Sequence, residues 1–218
     1  IRWHFDNIDT YMRKAIDVFG EWVAKGKDEG MEKNHSKPVK EMIDFVLSSK
    51  EGKFSFLDLG CGNGWVLREI AKNPLCYRAV GIDGSENMIT KANSLSSDDI
   101  VYILEDINSF NFKEKYDVIH SMEVLYYLDN PRQILEKILN TGLENNGTLI
   151  VGIDHYYENT DSHSWQEQVG TKMLMFNELE WVNMFKDAGF QQVSSWRANK
   201  HQGWEGTLVI TGKKLSSV

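Results

Sequence analysis

The residues best suited to chemistry in this 218-residue chain begin with Asp58, Gly60, Gly62 and Gly64, an acid followed by glycines at alternate positions. They close the apolar run Phe56-Leu57. A buried strand therefore runs into a tight loop where main chain faces a ligand, because only glycine lets backbone turn so sharply and approach a bound molecule so closely. The spacing also separates ligands. A dinucleotide fingerprint reads G-x-G-x-x-G, and counted from Gly60 its last glycine falls on position 65, where Trp65 stands. That argues against a nicotinamide-dependent oxidoreductase. Asp83 follows 19 residues beyond Gly64, where an acid meets ribose hydroxyls in a strand–loop–helix unit. Its carboxylate can accept from both vicinal hydroxyls. Gly84 and Ser85 complete this turn, and Ser85 reads as a helix N-cap that leaves Asp83 free. Met88, one turn into that helix, serves either contact with an adenine face or core packing.

A second set suits proton transfer. His155 lies at the end of a strand, His35 in an N-terminal connection, Glu123 and Tyr126 after another strand, and His163 and Trp165 in a later insertion. A histidine near neutral pKa can take a proton from an oxygen, nitrogen or carbon acid. Each of these groups reads equally as pocket lining, a backbone partner or a solvated side chain. Asp154, His155, Glu158, Asp161 and His163 cluster in sequence, but their spacing matches no standard zinc or calcium pattern, and no metal is expected. The aromatics Tyr126, Tyr127, Tyr156, Tyr157, Trp165 and Phe176 suit an apolar or cationic partner, or pack a lid onto the rest.

These residues need elements to hold them. Ile8, Tyr11, Met12, Ala15, Phe19 and Trp22 form one helical stripe, and Val39, Met42, Ile43 and Val46 a second, with Ser36 as N-cap, Pro38 in the first turn and a polar connection over 25–37. Candidate strands then fall at 54–59, 77–82, 100–104, 116–121 and 148–153, with helices at 65–72, 86–95 and 131–143 between them. Such alternation means right-handed crossovers and a mostly parallel α/β sheet, doubly wound. An aperiodic insertion covers 155–176. A helix over 178–188, with a capping box at Asn177 and Glu180, leads to strands 191–197 and 206–213, which must pair antiparallel. The whole reads as one domain over 1–218: a helical cap (1–50), a ligand-binding half (51–154), and an insertion, helix and closing strands (155–218).

The D-x-G-x-G-x-G run resembles motif I of the class I S-adenosylmethionine-dependent methyltransferases. Asp83, the Glu105-Asp106-Ile107 segment after the third strand and Ser121-Met122-Glu123 after the fourth follow in the order that family shows. With Tyr127 to Pro131 and Gly147 to Val151, the chain is similar to the quinone and small-metabolite (UbiE/Coq5-like) branch, although Asn145-Asn146-Gly147 replaces its usual proline-glycine turn. The resemblance implies a seven-stranded sheet whose last strand is antiparallel. It implies S-adenosylmethionine as cofactor and S-adenosylhomocysteine as product. It places Asp58, Gly60, Cys61, Gly62 and Gly64 at the amino-acid portion, Asp83, Gly84, Ser85 and Met88 at the ribose and adenine, Asp106 and Ile107 at the adenine edge, and Ser121 near the sulfur. The reaction implied is in-line transfer of a methyl group to a small-molecule acceptor, with His155, Glu123, Tyr126 and His35 as candidate catalytic groups. The alternative is a non-catalytic S-adenosylmethionine-binding module that acts through a partner.

A formal net charge of −8 argues against a nucleic-acid partner, which usually demands a basic face. Two cysteines, Cys61 and Cys76, make no disulfide framework, so a reduced, cytoplasmic setting is expected. No apolar run approaches the ~18 residues of a membrane span. The acceptor and the oligomeric state are not written in these patterns.

Overall fold

The computed structural model describes residues 12–97 and 99–216. Its sheet has seven strands: β1 (Phe54–Leu59), β2 (Cys76–Asp83), β3 (Ile100–Leu104), β4 (Tyr116–Met122), β5 (Leu143–Ile153), β6 (Gln191–Ala198) and β7 (Thr207–Lys213). They lie in the order β3-β2-β1-β4-β5-β7-β6. β7 slots between β5 and β6 and runs antiparallel to both, while β1 to β5 pair parallel. The doubly wound sheet with an antiparallel last strand is thus the one expected.

The helices are α1 (Ala15–Ala24), α2 (Asp28–Leu47), α3 (Trp65–Ile70), α4 (Glu86–Leu95), α5 (Pro131–Lys137), α6 (Trp165–Val169) and α7 (Glu178–Asp187). Every residue of β1 is buried, because helices cover both faces and such strands read as unbroken apolar runs. On one face Val39, Met42 and Val46 of α2 join Val66 and Leu67 of α3 against Phe56, Val118, Ile150 and Val209. On the other, Ile134 and Leu135 of α5 and Trp181 and Phe185 of α7 pack against Leu57, Ile119, Leu149 and Val151. Local caps set the starts: Asn130 accepts the Gln133 N–H, and the Asn177–Glu180 capping box is complete. α5 stops at Lys137 and widens into a π-type turn over Ile138–Gly142, short of the expected helix over 131–143.

The cap differs from the sequence reading. α2 begins at Asp28, so the polar connection over 25–37 is mostly helix, Ser36 is not an N-cap and Pro38 lies inside. Proline removes one helical hydrogen bond. The carbonyl that loses its donor belongs to Asn34, which is exposed, so the lost bond carries little desolvation cost, while burial of Pro38, Val39 and Met42 holds the helix. Ile8 and Tyr11 lie outside the described residues. The insertion holds a 3-10 turn at Thr160–Ser162 and the short α6. Tyr116 pairs with Leu143 and Val118 with Thr148, so Asn145-Asn146-Gly147 forms a bulge within β5 rather than a turn before it, with Asn146 at φ 63°.

Candidate functional site

After β3 the chain returns past β1 to form β4. The loops following β1 and β4 therefore part, and a crevice opens at the carboxyl ends of the strands, as the topology requires. A cavity of about 750 Å³ occupies it. A recess of about 40 Å³ shares His35, Gly60, Gly62, Met88, Met122 and Glu123 with it.

One side of this space is made of backbone. Gly60 sits at φ 76° and a Cβ there would overlap Val124. Gly62, at φ 52°, differs: a Cβ on it would meet only the Met88 sulfur, at 3.9 Å, and would project into the open cavity. The loop is fastened to β2. The Gly60 and Cys61 N–H groups donate to the Ile82 carbonyl at 2.8 and 3.0 Å, and the Gly62 N–H donates to Asp83 Oδ2 at 2.9 Å. Asp83 Oδ1 accepts from the Ser85 N–H at 2.8 Å. Contrary to the expectation that Ser85 leaves it free, Asp83 ties the glycine loop to the head of α4. Burial pushes its carboxyl up, and the Ser85 and Gly62 N–H groups oppose that rise. It still faces the cavity, beside Gly84, Met88, Asp106 and Ile107.

Asp58 and Cys61 reach the recess. Asp58 Oδ1 lies 2.7 Å from His120 Nδ1, both side chains buried, and His120 Nε2 has no protein partner. His120 went unnoticed in the sequence. The signal was a lone histidine in an apolar strand, but only the register that sets it opposite Asp58 gives it meaning. Asp28 and Asn63 were also missed. The Asp28 carboxylate accepts from Asn63 Nδ2 at 2.9 Å and pairs with Lys91 at 2.7 Å, fastening α2 to the glycine loop and α4.

The opposite side is made of side chains from distant elements. Phe19 and Trp22 of α1, Tyr126 and Tyr127 after β4, and Trp165 and Met173 of the insertion line it. Phe19 meets Tyr127 edge to face at 5.2 Å. Where the two sides join, His35, Glu123 and Asp154 converge, each offering one donor atom within 4.8 Å of the others. His35 Nε2 lies 3.3 Å from Asp154 Oδ2. Tyr126 donates to Glu123 Oε2 at 2.7 Å, the Asp154 N–H donates to Glu123 Oε1, and Glu123 holds a left-handed φ of 61°. Burial, and then the neighbouring Asp154 charge, push the Glu123 carboxyl up to about 8. Burial would lower His35, but hydrogen bonding to Asp154 and the charge of Glu123 more than offset it.

The structure thus gathers Asp58, Gly60, Cys61, Gly62, Asp83, Gly84, Met88, Asp106, Ile107, His35, Glu123 and Tyr126 at the cavity and recess. Four expected residues stand behind the walls. Gly64 lies beneath the Tyr102 ring, Ser85 caps α4 through the Met88 N–H, and Ser121 donates to the Leu59 carbonyl at 2.9 Å. The His155 ring lies 3.0 Å from the Ser162 carbonyl and beside Tyr126 and Trp165. Burial lowers its pKa. It shapes the wall and does not face the cavity: it lies beyond the end of β5, and its ring is held by the Ser162 carbonyl and by Tyr126 and Trp165.

The open cradle at Gly62, a cavity of this volume and carboxylates at the ends of β1, β2 and β3 fit an S-adenosylmethionine-sized ligand. Asp83 and Asp106 suit hydroxyl and amine donors, and the recess at Asp58 and His120 suits a polar amino-acid end. Among the described residues, no helix is long and apolar enough to cross a membrane.

A family profile described as a methyltransferase domain matches residues 7–195. The chain is 33% identical over 124 residues to the malonyl-[acyl-carrier protein] O-methyltransferase of Halalkalibacterium halodurans, covering 52% of this chain and 45% of that one. It is 28% identical over 128 residues to the pavine N-methyltransferase of Thalictrum flavum, covering 53% and 35%. The chain therefore spans less than half the length of these curated relatives. A solved structure, the complex between the Haloferax volcanii Trm112 methyltransferase activator and a methyltransferase, contains a chain that superposes with a TM-score of 0.80. That chain is 27% identical, over 94% of this chain and 99% of that one.

Proposed function

The chain belongs to the class I S-adenosylmethionine-dependent methyltransferases, and from that premise we propose that it methylates a small molecule held in the 750 Å³ cavity. The observation that carries this reading is the junction of two unlike walls: the glycine loop on one side, and on the other an aromatic wall with His35 and Glu123 at its inner edge. The enclosed volume suits a metabolite, and the net charge of −8 gives little to attract a nucleic acid. Resemblance to the quinone and small-metabolite branch agrees.

When bound, S-adenosylmethionine supplies a methyl group already activated by a sulfonium charge. The protein then needs mainly to align the acceptor and keep water out. Phe19, Trp22, Tyr127 and Trp165 exclude water from an apolar acceptor. His35 and Glu123 face its reacting atom, with Tyr126 fixing the Glu123 carboxyl through its hydroxyl and Asp154 fixing His35. His155 has a positioning role, holding Tyr126 and Trp165. A panel of phenols, amines and carboxylic acids, assayed for S-adenosylhomocysteine release, tests the reading. Turnover of a panel member that falls on Tyr127→Ala supports it; turnover only with a protein or RNA acceptor overturns it.

A second reading concerns assembly. The Haloferax relative was solved with an activator protein, and β3 is an edge strand here with Val101 and Leu104 half exposed. We propose that this edge accepts a strand of a small activator, since open apolar edges invite pairing. Val101→Lys should abolish capture of such an activator in co-expression; unchanged capture refutes the site.

A further inference from the structure

The group His35, Glu123 and Asp154 has a composition and shape that proton transfer alone does not require. It brings one imidazole nitrogen and two carboxylates together from three separate elements: α2, the residue after β4, and the residue after β5. Their donor atoms all lie within 4.8 Å of one another. Ligands at about 2.0–2.2 Å from one ion stand about 3–4 Å apart, so a small closure suffices to share an ion. Among the described residues, His35 is the one basic group within ion-pair distance of either carboxylate. Asp154 is 4% exposed, and its Oδ1 is buried with no hydrogen-bond partner. A buried carboxylate oxygen left unpaired is costly unless a donor or cation meets it.

The surroundings match what an ion site needs. Metal ligands are oriented by further hydrogen bonds. Glu123 is held by the Tyr126 hydroxyl and the Asp154 N–H, and the Asp154 carbonyl accepts from Asn159 Nδ2 at 2.7 Å. The left-handed backbone at Glu123 is uncommon for a residue with a side chain, and it aims the carboxyl inward. We propose that His35, Glu123 and Asp154 form a binding site for a divalent first-row metal ion, with its remaining positions open to the cavity. One nitrogen and two oxygens suit Mn²⁺, Fe²⁺ or Zn²⁺ better than Mg²⁺, which keeps to oxygen. The inference rests on the acceptor reading above and deepens it. His35 and Glu123 line the cavity, so the ion would bind an acceptor through an oxygen and lower that oxygen's affinity for its proton. The acceptor class is then an oxygen ligand, such as an enol, a phenol or a carboxylate.

The test uses chelator-treated full chain, titrated with MnCl₂ by calorimetry and followed by loss of the free Mn²⁺ paramagnetic resonance signal, with ZnCl₂ in parallel. One ion per chain is expected, and Asp154→Asn or Glu123→Gln should each weaken Mn²⁺ by at least about tenfold. Both substitutions keep side-chain size, and unchanged thermal melts of the metal-free variants show that they fold. No uptake of either metal, or uptake unchanged in both variants, overturns the site. S-adenosylhomocysteine is titrated in the same samples. A chain that binds it but neither metal refutes this inference alone, whereas metal uptake without it refutes the cofactor wall instead.

Discussion

The two walls of the cavity are built by opposite means. The proposed cofactor wall is backbone: glycines that leave room, N–H groups bonded to Ile82 and Asp83, and carboxylates at the ends of neighbouring parallel strands. The proposed acceptor wall is side chain: rings from α1, the segment after β4 and the insertion, with His35 of α2 at its inner edge. A wall made of main chain admits one ligand shape and tolerates little change. A wall made of side chains on separable elements can be refitted to another acceptor while the fold persists.

Substitutions can break or sharpen that contrast. The largest effect is expected for Gly62→Val, whose side chain would enter the space beside Met88. S-adenosylhomocysteine affinity should fall by about a hundredfold or more, about 2.8 kcal/mol, and calorimetry showing unchanged affinity would refute the backbone wall. Next comes Asp83→Ala. It leaves the Gly62 and Ser85 N–H groups without their acceptor, at about 1–3 kcal/mol each. Both cofactor affinity and melting temperature should drop, the latter by several degrees; a loss of affinity with no change in melting would show that Asp83 touches ligand but does not hold the loop.

On the other wall the pattern should reverse. Glu123→Gln should lower turnover of the best acceptor by roughly a hundredfold while cofactor affinity stays within about threefold. A parallel loss of both would erase the distinction between the walls. The smallest effect concerns the cap that joins them. Burial raises the Asp28 carboxyl, but hydrogen bonds from Lys91 and Asn63 more than offset this and hold it below its ordinary 3.8. A depressed carboxyl stabilises the fold above its ordinary value and loses that contribution as pH falls through the folded-state value. Protection of the α2 amides, relative to the unstructured rate at the same pH, should therefore fall below about pH 3.8 and hold steady near neutral pH, and Asp28→Asn should flatten this pH dependence. Equal pH dependence in the variant would show that another group holds the cap.

How much of this was legible varies by residue. Gly60, Gly62, Asp83 and Asp106 announced themselves, because a strand–loop–helix unit is local and its turn chemistry is confined to a few residues. Ser85 and Asn177 declared their helix starts for the same reason. The start of α2 did not: Ser36 and Pro38 carry strong local signals, and burial of Val39, Met42 and Val46 against the sheet overrode them. His155 looked catalytic beside Asp154, yet the turn after β5 carries its ring to the Ser162 carbonyl and away from the cavity. His120 looked inert until its register with Asp58 was known.

By itself the sequence determined the strand–helix alternation, the glycine loop and the acids after successive strands, hence the fold and the methyl donor. These follow from backbone sterics and hydrophobic period, which act over a few neighbouring residues. Tertiary structure alone decided which titratable groups meet. His35, Glu123 and Asp154 are far apart in the chain and converge only because β4 and β5 pair in one register while α2 packs on β5. Contacts of that kind are set by packing of the whole core, and no short stretch of sequence contains them.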